Sequence, residues 1–255
     1  MIHLGRRSYP YMEEVNEGIV REFRRLHPDR AGRTALDVGC GRGQLGAEVR
    51  RLGWDVWGIE NSEQACATAE RRLNRLVRAD LNDLDRVHAE IGTTTFDALV
   101  FSDVLEHVYD PRGVLETYLQ FVRPGGRVLV SVPNAVVWTN RFQWTFGRVL
   151  YADTGVMDRT HIRFFTFRTA QELVRATGCS IERQASTPYL ARAVLPAMKG
   201  LLRRKEDAPA NPRALIDSPA YKTYMKLLYP AEQAVASLWP EMLAFRIILV
   251  ATKPT

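Results

Sequence analysis

Seven consecutive residues, Asp37-Val38-Gly39-Cys40-Gly41-Arg42-Gly43, constrain this chain more than any other stretch. An apolar run over residues 34–38 leads into them and reads as a buried strand. Residues 44–52 then have helical periodicity. Glycine at alternate positions lets the backbone turn sharply and approach a ligand closely. A helix beginning at Gln44 would aim its free N–H groups at that ligand. A second apolar run, 55–59, closes on Glu60, an acid placed to accept hydrogen bonds from a ribose diol. This is the pattern of a nucleotide-cofactor site.

From Thr34 onward strand and helix patterns alternate, the signature of a parallel sheet with helices on both faces. The periodicity predicts strands near 34–38, 55–59, 76–79, 96–101 and 128–132. It predicts crossover helices near 44–52, 62–73, 81–91 and 111–122. The last of these opens with Asp110 as N-cap and Pro111 at the first helical position. Before the sheet, residues 11–26 form a helical pattern with Val15, Ile19, Phe23 and Leu26 on one face. Ligands of such sheets bind beyond the carboxyl ends of the strands.

The run Gly41 to Gly46 also matches the dinucleotide pattern G-x-G-x-x-G, with Glu60 at a compatible spacing. Asp37 argues against a nicotinamide cofactor. A carboxylate under the loop would repel a pyrophosphate but suits a ligand ammonium, such as that of the methionine part of S-adenosylmethionine.

Later motifs extend the pattern in order. Arg78-Ala79-Asp80-Leu81 ends a third strand. Phe96 to Asp103 forms a fourth, followed by Val104-Leu105-Glu106-His107. Arg123-Pro124-Gly125-Gly126-Arg127 turns into a fifth strand, followed by Pro133-Asn134. The ordered set resembles the class I S-adenosylmethionine-dependent methyltransferases. The resemblance implies a Rossmann-like, doubly wound α/β sheet of seven strands, the last antiparallel. It implies that Asp37, Gly39, Gly41 and Gly43 cradle the methionine portion, that Glu60 holds the ribose hydroxyls, and that Asn61 is among the cofactor-binding residues. Asp80 and Leu81 would bracket adenine, and Ser102 and Asp103 would face the methionine or the acceptor.

Residues 135–167 break the alternation and are rich in aromatics. A helix near 169–177 and a strand near 180–185 follow. Residues 188–240 then separate that strand from a final one at 244–251. The expected organisation is an N-terminal helical arm (1–33), a methyltransferase core (34–187), a helical insertion or lid (188–240) and the final core strand (241–255). Within the insertion, Lys205 to Pro212 is polar and Pro-bearing and reads as a mobile loop.

The chemistry falls to histidines and acids on the carboxyl side. An acceptor hydroxyl must lose a proton during methyl transfer, and an imidazole suits that task. Of five histidines, His3, His27 and His88 lie away from the expected ligand edge, whereas His107 and His161 lie on it. His161 is the first candidate for general base; its rival role is structural, with the side chain held by Asp158 or Arg159. Its segment, Asp158 to Thr166, resembles one in bacterial O-methyltransferases of glycan and natural-product assembly.

Metal is a second reading. Asp103, Glu106 and His107 stand at i, i+3 and i+4, where one helical face could present them. With His161 they would offer oxygen and nitrogen ligands to a divalent ion. A related constellation occurs in ubiquinone-pathway and small-RNA O-methyltransferases, which carry Glu where this chain has Asp103.

The three cysteines are isolated and form no C-x-x-C, so neither a zinc knuckle nor a disulfide framework is expected. The N-terminal residues lack an apolar signal core. A cytoplasmic location is the simplest expectation, with a peripheral contact at the inner membrane face as the variant. Residues 186–255 hold 10 of the 35 basic but only 5 of the 29 acidic residues. That excess points to an acidic partner or to a solvated basic face. The expected acceptor is a hydroxyl on a sugar or other polar small molecule, phosphorylated or lipid-linked in some variants. RNA 2′-O-methylation and a non-catalytic cofactor-binding protein are the alternatives; no nucleic-acid-binding module is recognisable. The insertion is read as a lid, a homodimer contact or a membrane contact.

Overall fold

The computed structural model describes residues 15–26, 32–189 and 223–255. His3, His27 and the start of the 11–26 helical pattern lie outside the described residues. So do residues 190–222 of the insertion, with the 205–212 loop and most of the basic excess.

Seven strands form one sheet: β1 (Thr34–Val38), β2 (Asp55–Glu60), β3 (Arg75–Arg78), β4 (Phe96–Ser102), β5 (Val122–Pro133), β6 (Ser180–Pro188) and β7 (Ala244–Thr252). Their order is β3-β2-β1-β4-β5-β7-β6. β7 runs antiparallel to both of its neighbours, and the other pairs are parallel. The expected fold class is therefore the observed one. β1 is buried along almost its whole length because helices cover both faces of the sheet.

Residues alternate between two cores. Leu36 and Val38 face one cluster with Leu99, Phe101 and Val130. Ala35 faces the other with Val56, Ala98 and Val100. Helices α1 (Glu17–Leu26), α2 (Gln44–Arg51) and α3 (Glu63–Ala69) cover the second cluster. Helices α4 (Leu84–Ile91), α5 (Pro111–Leu119) and α7 (Phe167–Ala176) cover the first; α6 (Trp138–Thr145) lies between β5 and α7 in the chain. Each fully buried aliphatic or aromatic side chain stabilises this arrangement by about 1.5–3 kcal/mol.

Helix starts follow local polar chemistry. The Ser62 and Asp83 side chains accept from the backbone N–H of Ala65 and Arg86. Asp110 accepts from Gly113 N at 3.0 Å, with Pro111 as the first helical residue, as the sequence predicts. Thr166 and Thr169 form a reciprocal capping box on α7.

Two boundaries depart from expectation. α4 begins at Leu84 rather than near residue 81, because Asn82 folds back on Asp80 (2.9 Å from its N–H, 2.8 Å from Nδ2) and Asp83 takes over as cap. β5 begins at Val122, so Arg123 to Gly126 form an irregular stretch within the strand rather than a turn before it. The register with β4 shifts there, between Phe96 and Ala98, while Asp97 pairs with Arg123.

The end of the insertion, as described, is helical: a π-turn at Tyr224–Leu228, then α8 (Tyr229–Leu238) and α9 (Pro240–Leu243). No helix among the described residues is long and apolar enough to cross a membrane.

Asn134 joins this end of the chain to the sheet. It is fully buried, its Nδ2 donates to the carbonyls of Glu241 and Ala244, both at 3.0 Å, and its N–H donates to Phe245 O at 2.8 Å. Replacing it removes the donor to the carbonyls of Glu241 in α9 and Ala244 at the start of β7. Asn134→Ala is expected to lower unfolding free energy by about 2–4 kcal/mol in a urea titration.

Candidate active site

The chain leaves β1 through three left-handed glycines, with φ of 69° at Gly39, 55° at Gly41 and 73° at Gly43. Space forbids a side chain as firmly as torsion does. A Cβ at Gly39 would stand 2.8 Å from Val104 Cγ2, and one at Gly43 would stand 3.2 Å from Ala69 Cα. The loop therefore lies flat between the exit of β4 and the end of α3, and Gly43 hands the chain directly to α2.

Asp37, one residue before the end of β1, is 3% exposed, and its Oδ2 has no hydrogen-bond partner. Burial, with the Glu60 carboxylate as a second cause, pushes its pKa up to about 7. Glu60 itself ties the loop to the end of β2. Its Oε2 accepts from Gly41 N at 2.9 Å, and its Oε1 from Asn61 N and Ser62 N at 3.0 and 2.8 Å. The acid expected at the ribose is thus also a structural clasp.

Asn61 and Asp80 meet in a hollow beside β2 and β3, with Asn61 Nδ2 donating to Asp80 Oδ2 at 3.0 Å. Burial raises the Asp80 pKa, but hydrogen bonds from Asn82 and Asn61 outweigh that and hold it below the usual carboxylate range. Leu81 is half-buried and does not line this hollow. Its side chain packs on the core beneath, its carbonyl accepts from the Tyr118 hydroxyl at 2.9 Å, and Ala79 supplies the apolar wall instead.

The main cleft, about 210 Å³, opens at the carboxyl ends of β1, β4 and β5. Asp37, Gly39 and Gly41 line one side; Asp103, Glu106, His107, His161 and Arg246 line the other. Asp103 is the only non-glycine with positive φ (56°) among the described residues. It precedes a 3₁₀ turn at Leu105–His107, so it shares no helical face with Glu106 and His107. Its carboxylate is already engaged: Ser131 Oγ donates to Oδ1 at 2.7 Å and Arg246 Nε to Oδ2 at 2.6 Å. Asn16 Nδ2 extends the chain of bonds to Ser131 Oγ (2.8 Å) and Ser102 Oγ (3.2 Å). The proposed four-ligand set therefore contracts to three residues.

Those three are Glu106, His107 and His161, whose ligand atoms all lie within 4.8 Å of one another. Glu106 is 1% exposed, and neither carboxylate oxygen has a hydrogen-bond partner. Burial and then the nearby Asp103 drive its pKa well above the ordinary value. His161 Nδ1 lies 2.9 Å from Val156 O, which assigns the proton to Nδ1 and leaves the lone pair on Nε2, 4.0 Å from Glu106 Oε1. The ring is thus held by Val156, not by Asp158 or Arg159. Asp158 instead accepts from the Thr160 backbone and hydroxyl (2.8 and 2.7 Å), and Thr160 O faces His107 Nδ1 at 3.2 Å. Burial and the neighbouring His161 lower the His107 pKa. An orphaned carboxylate beside two imidazoles suits a divalent cation by donor type.

Sequence reasoning missed Asn16 and Arg246. Asn16 reads only as a helix cap, a role it also fills by accepting from Ile19 N at 3.4 Å. Arg246 carried a usable signal, a lone charge within the apolar strand Ala244–Thr252.

A family model described as a methyltransferase domain matches residues 11–184. A ubiquinone biosynthesis O-methyltransferase of Methylococcus capsulatus is 36% identical over 115 residues, 44% of this chain and 48% of that protein. The chain spans about half the length of the curated relatives it matches. Among solved structures, a SAM-dependent methyltransferase from Archaeoglobus fulgidus superposes with a TM-score of 0.57 at 14% identity, covering 92% of this chain and 93% of that one. Phosphoethanolamine N-methyltransferase 2 of Haemonchus contortus, solved with S-adenosyl-L-methionine, superposes with a TM-score of 0.54 at 19% identity, covering 91% and 51%. At such identities these structures show a shared fold. The chain belongs to the methyltransferase-domain family and has the class I fold of the S-adenosylmethionine-dependent enzymes.

Proposed function

We propose that this cleft moves the methyl group of S-adenosylmethionine to a hydroxyl of a small molecule. The observation that carries the reading is one cleft with an unpartnered Asp37 carboxylate on its glycine-loop side and the Glu106–His107–His161 cluster on the other. Asp37 would accept from the cofactor ammonium, and Glu60 from the ribose hydroxyls. Asn61 and Asp80 would meet the adenine end. In the transfer the S–CH₃ bond breaks as the O–CH₃ bond forms. The sulfonium becomes a neutral thioether, and the hydroxyl proton passes to a base. The protein's part is alignment and proton removal.

His161 is the base in this reading. Its tautomer leaves Nε2 open to a proton, and the imidazolium then formed would sit beside Glu106. The orphaned oxygens of Glu106 support a second arrangement at the same cluster. Glu106, His107 and His161 would then hold a divalent cation, whose Lewis acidity lowers the pKa of a bound hydroxyl. His161 would be a ligand there rather than the base.

The curated relatives are named for ubiquinone biosynthesis and lend no support to a sugar acceptor in particular. Polar side chains on the cleft wall, among them Ser102, Asp103, His107 and Arg246, support a hydroxyl on a small polar molecule, whether carbocyclic or sugar.

Two experiments test this reading. Cofactor affinity, measured by calorimetry, should rise with pH through about 7 as Asp37 ionises, and then level off. Asp37→Asn should flatten that dependence and weaken binding about 10–100-fold, the value of a charge-assisted hydrogen bond. Because the buried carboxylate opposes folding above its unfolded pKa, that variant should melt at or above the wild-type temperature at pH 8. His161→Ala should lower turnover by about 10²-fold or more with cofactor affinity retained. Full activity after exhaustive chelation favours the base; loss restored by added divalent ion favours the ligand. Wild-type turnover in His161→Ala sinks both arrangements.

A further inference from the structure

Arg246 is the only lysine or arginine on the wall of the main cleft among the described residues. Its strand is otherwise apolar from Phe245 to Ala251, and its side chain is 12% exposed. A guanidinium so far removed from water needs compensating partners. One is present, Asp103, which receives the Nε–H at 2.6 Å. The guanidinium also lies over the Phe245 ring, with Cζ 4.8 Å from the centroid. Neither terminal nitrogen has a hydrogen-bond partner among the described residues, and neither is sealed from solvent.

The anchor is rigid. Asp103 is held in a left-handed conformation and receives Ser131 Oγ–H on its other oxygen, while Ser131 accepts from Asn16. This chain of bonds fixes the guanidinium plane and leaves its two-nitrogen edge open. Such an edge matches the two oxygens of a carboxylate. A dianionic phosphate fits less well, because Asp103, Glu106 and Asp158 line the same cleft. The position favours the acceptor over the cofactor. Arg246 belongs to β7, from which β5 and β4 separate β1 and its glycine loop, and its guanidinium is held by Asp103, which Ser131 of β5 also engages.

We infer that Arg246 binds the acceptor and that the acceptor carries a carboxylate in addition to the hydroxyl that is methylated. The inference rests on the reading of this cleft as a methyl-transfer site, since that reaction defines the acceptor.

The test uses benzoate and its neutral analogue benzamide as probes, titrated calorimetrically into the full chain saturated with S-adenosylhomocysteine. The wild type should bind benzoate about 10–100-fold more tightly than benzamide. Arg246→Gln should abolish that preference, and Arg246→Lys should keep part of it, because the charge remains and the fork is lost. S-adenosylhomocysteine should bind all three proteins equally. Arg246→Gln strands the Asp103 carboxylate, so the pair Asp103→Asn/Arg246→Gln is measured beside it. Loss of the preference in the pair at a wild-type melting temperature assigns the effect to the fork rather than to folding. Equal binding of the two probes by the wild type, no benzoate binding, or a preference that survives Arg246→Gln overturns the inference. Weakened S-adenosylhomocysteine binding by Arg246→Gln also overturns it and makes Arg246 a holder of the cofactor carboxylate. Failure of the wild type to bind S-adenosylhomocysteine is a separate outcome and sinks the methyl-transfer reading itself.

Discussion

Nothing larger than hydrogen fits at residue 39, and the rest of the cleft follows from that. A Cβ there would meet Val104, the first residue of the chain's descent from β4 into the 3₁₀ turn. With glycine, the exits of β1 and β4 pack directly against each other. That contact brings Asp37, at the end of one strand, into the same cleft as Asp103 and Glu106, beyond the end of the other. Parallel register makes the juxtaposition general, since β1, β2 and β4 all release their chains at one edge. Glu60 then clasps the loop from the β2 side, so the loop's shape is set by packing on one flank and hydrogen bonds on the other.

The electrostatics of the cleft are those of a container for positive charge. Asp37 and Glu106 are buried without hydrogen-bond partners on at least one oxygen, and burial raises the pKa of both. Stranded acids of this kind oppose folding in isolation and are stabilised when a cation or proton arrives. In the proposed reading a cofactor ammonium would meet the first, and an imidazolium or a divalent ion would lie beside the second. Asp103 differs because it has its cation within the chain. The Asp103–Arg246 pair joins β4 to β7 and converts one acid of the cleft into support for a guanidinium.

Much of the scaffold was legible because it depends on local chemistry. Strand and helix order, the Asp110–Pro111 start of α5 and the three glycines all come from periodicity, capping and torsional preference, which a short window contains. Errors arose where a neighbour decided. Arg123 to Gly126 looked like a turn, but Phe96 of β4 pairs with Val122 and extends the strand past it. Asp103 sits at helical spacing from Glu106, yet its positive φ removes it from any common face.

The sequence by itself determined the sheet, the cofactor loop and the identity of the acids and histidines at its carboxyl edge. Periodicity and glycine torsion act within a few residues, so they leave a readable trace. Only the tertiary structure decided which of those acids is free to act. His161 lies 55 residues beyond Glu106, and Arg246 lies 143 residues beyond Asp103. Whether a carboxylate is spent on an arginine or left bare beside an imidazole depends on which distant strand packs next to it. The insertion of antiparallel β7 between β5 and β6 made that choice here.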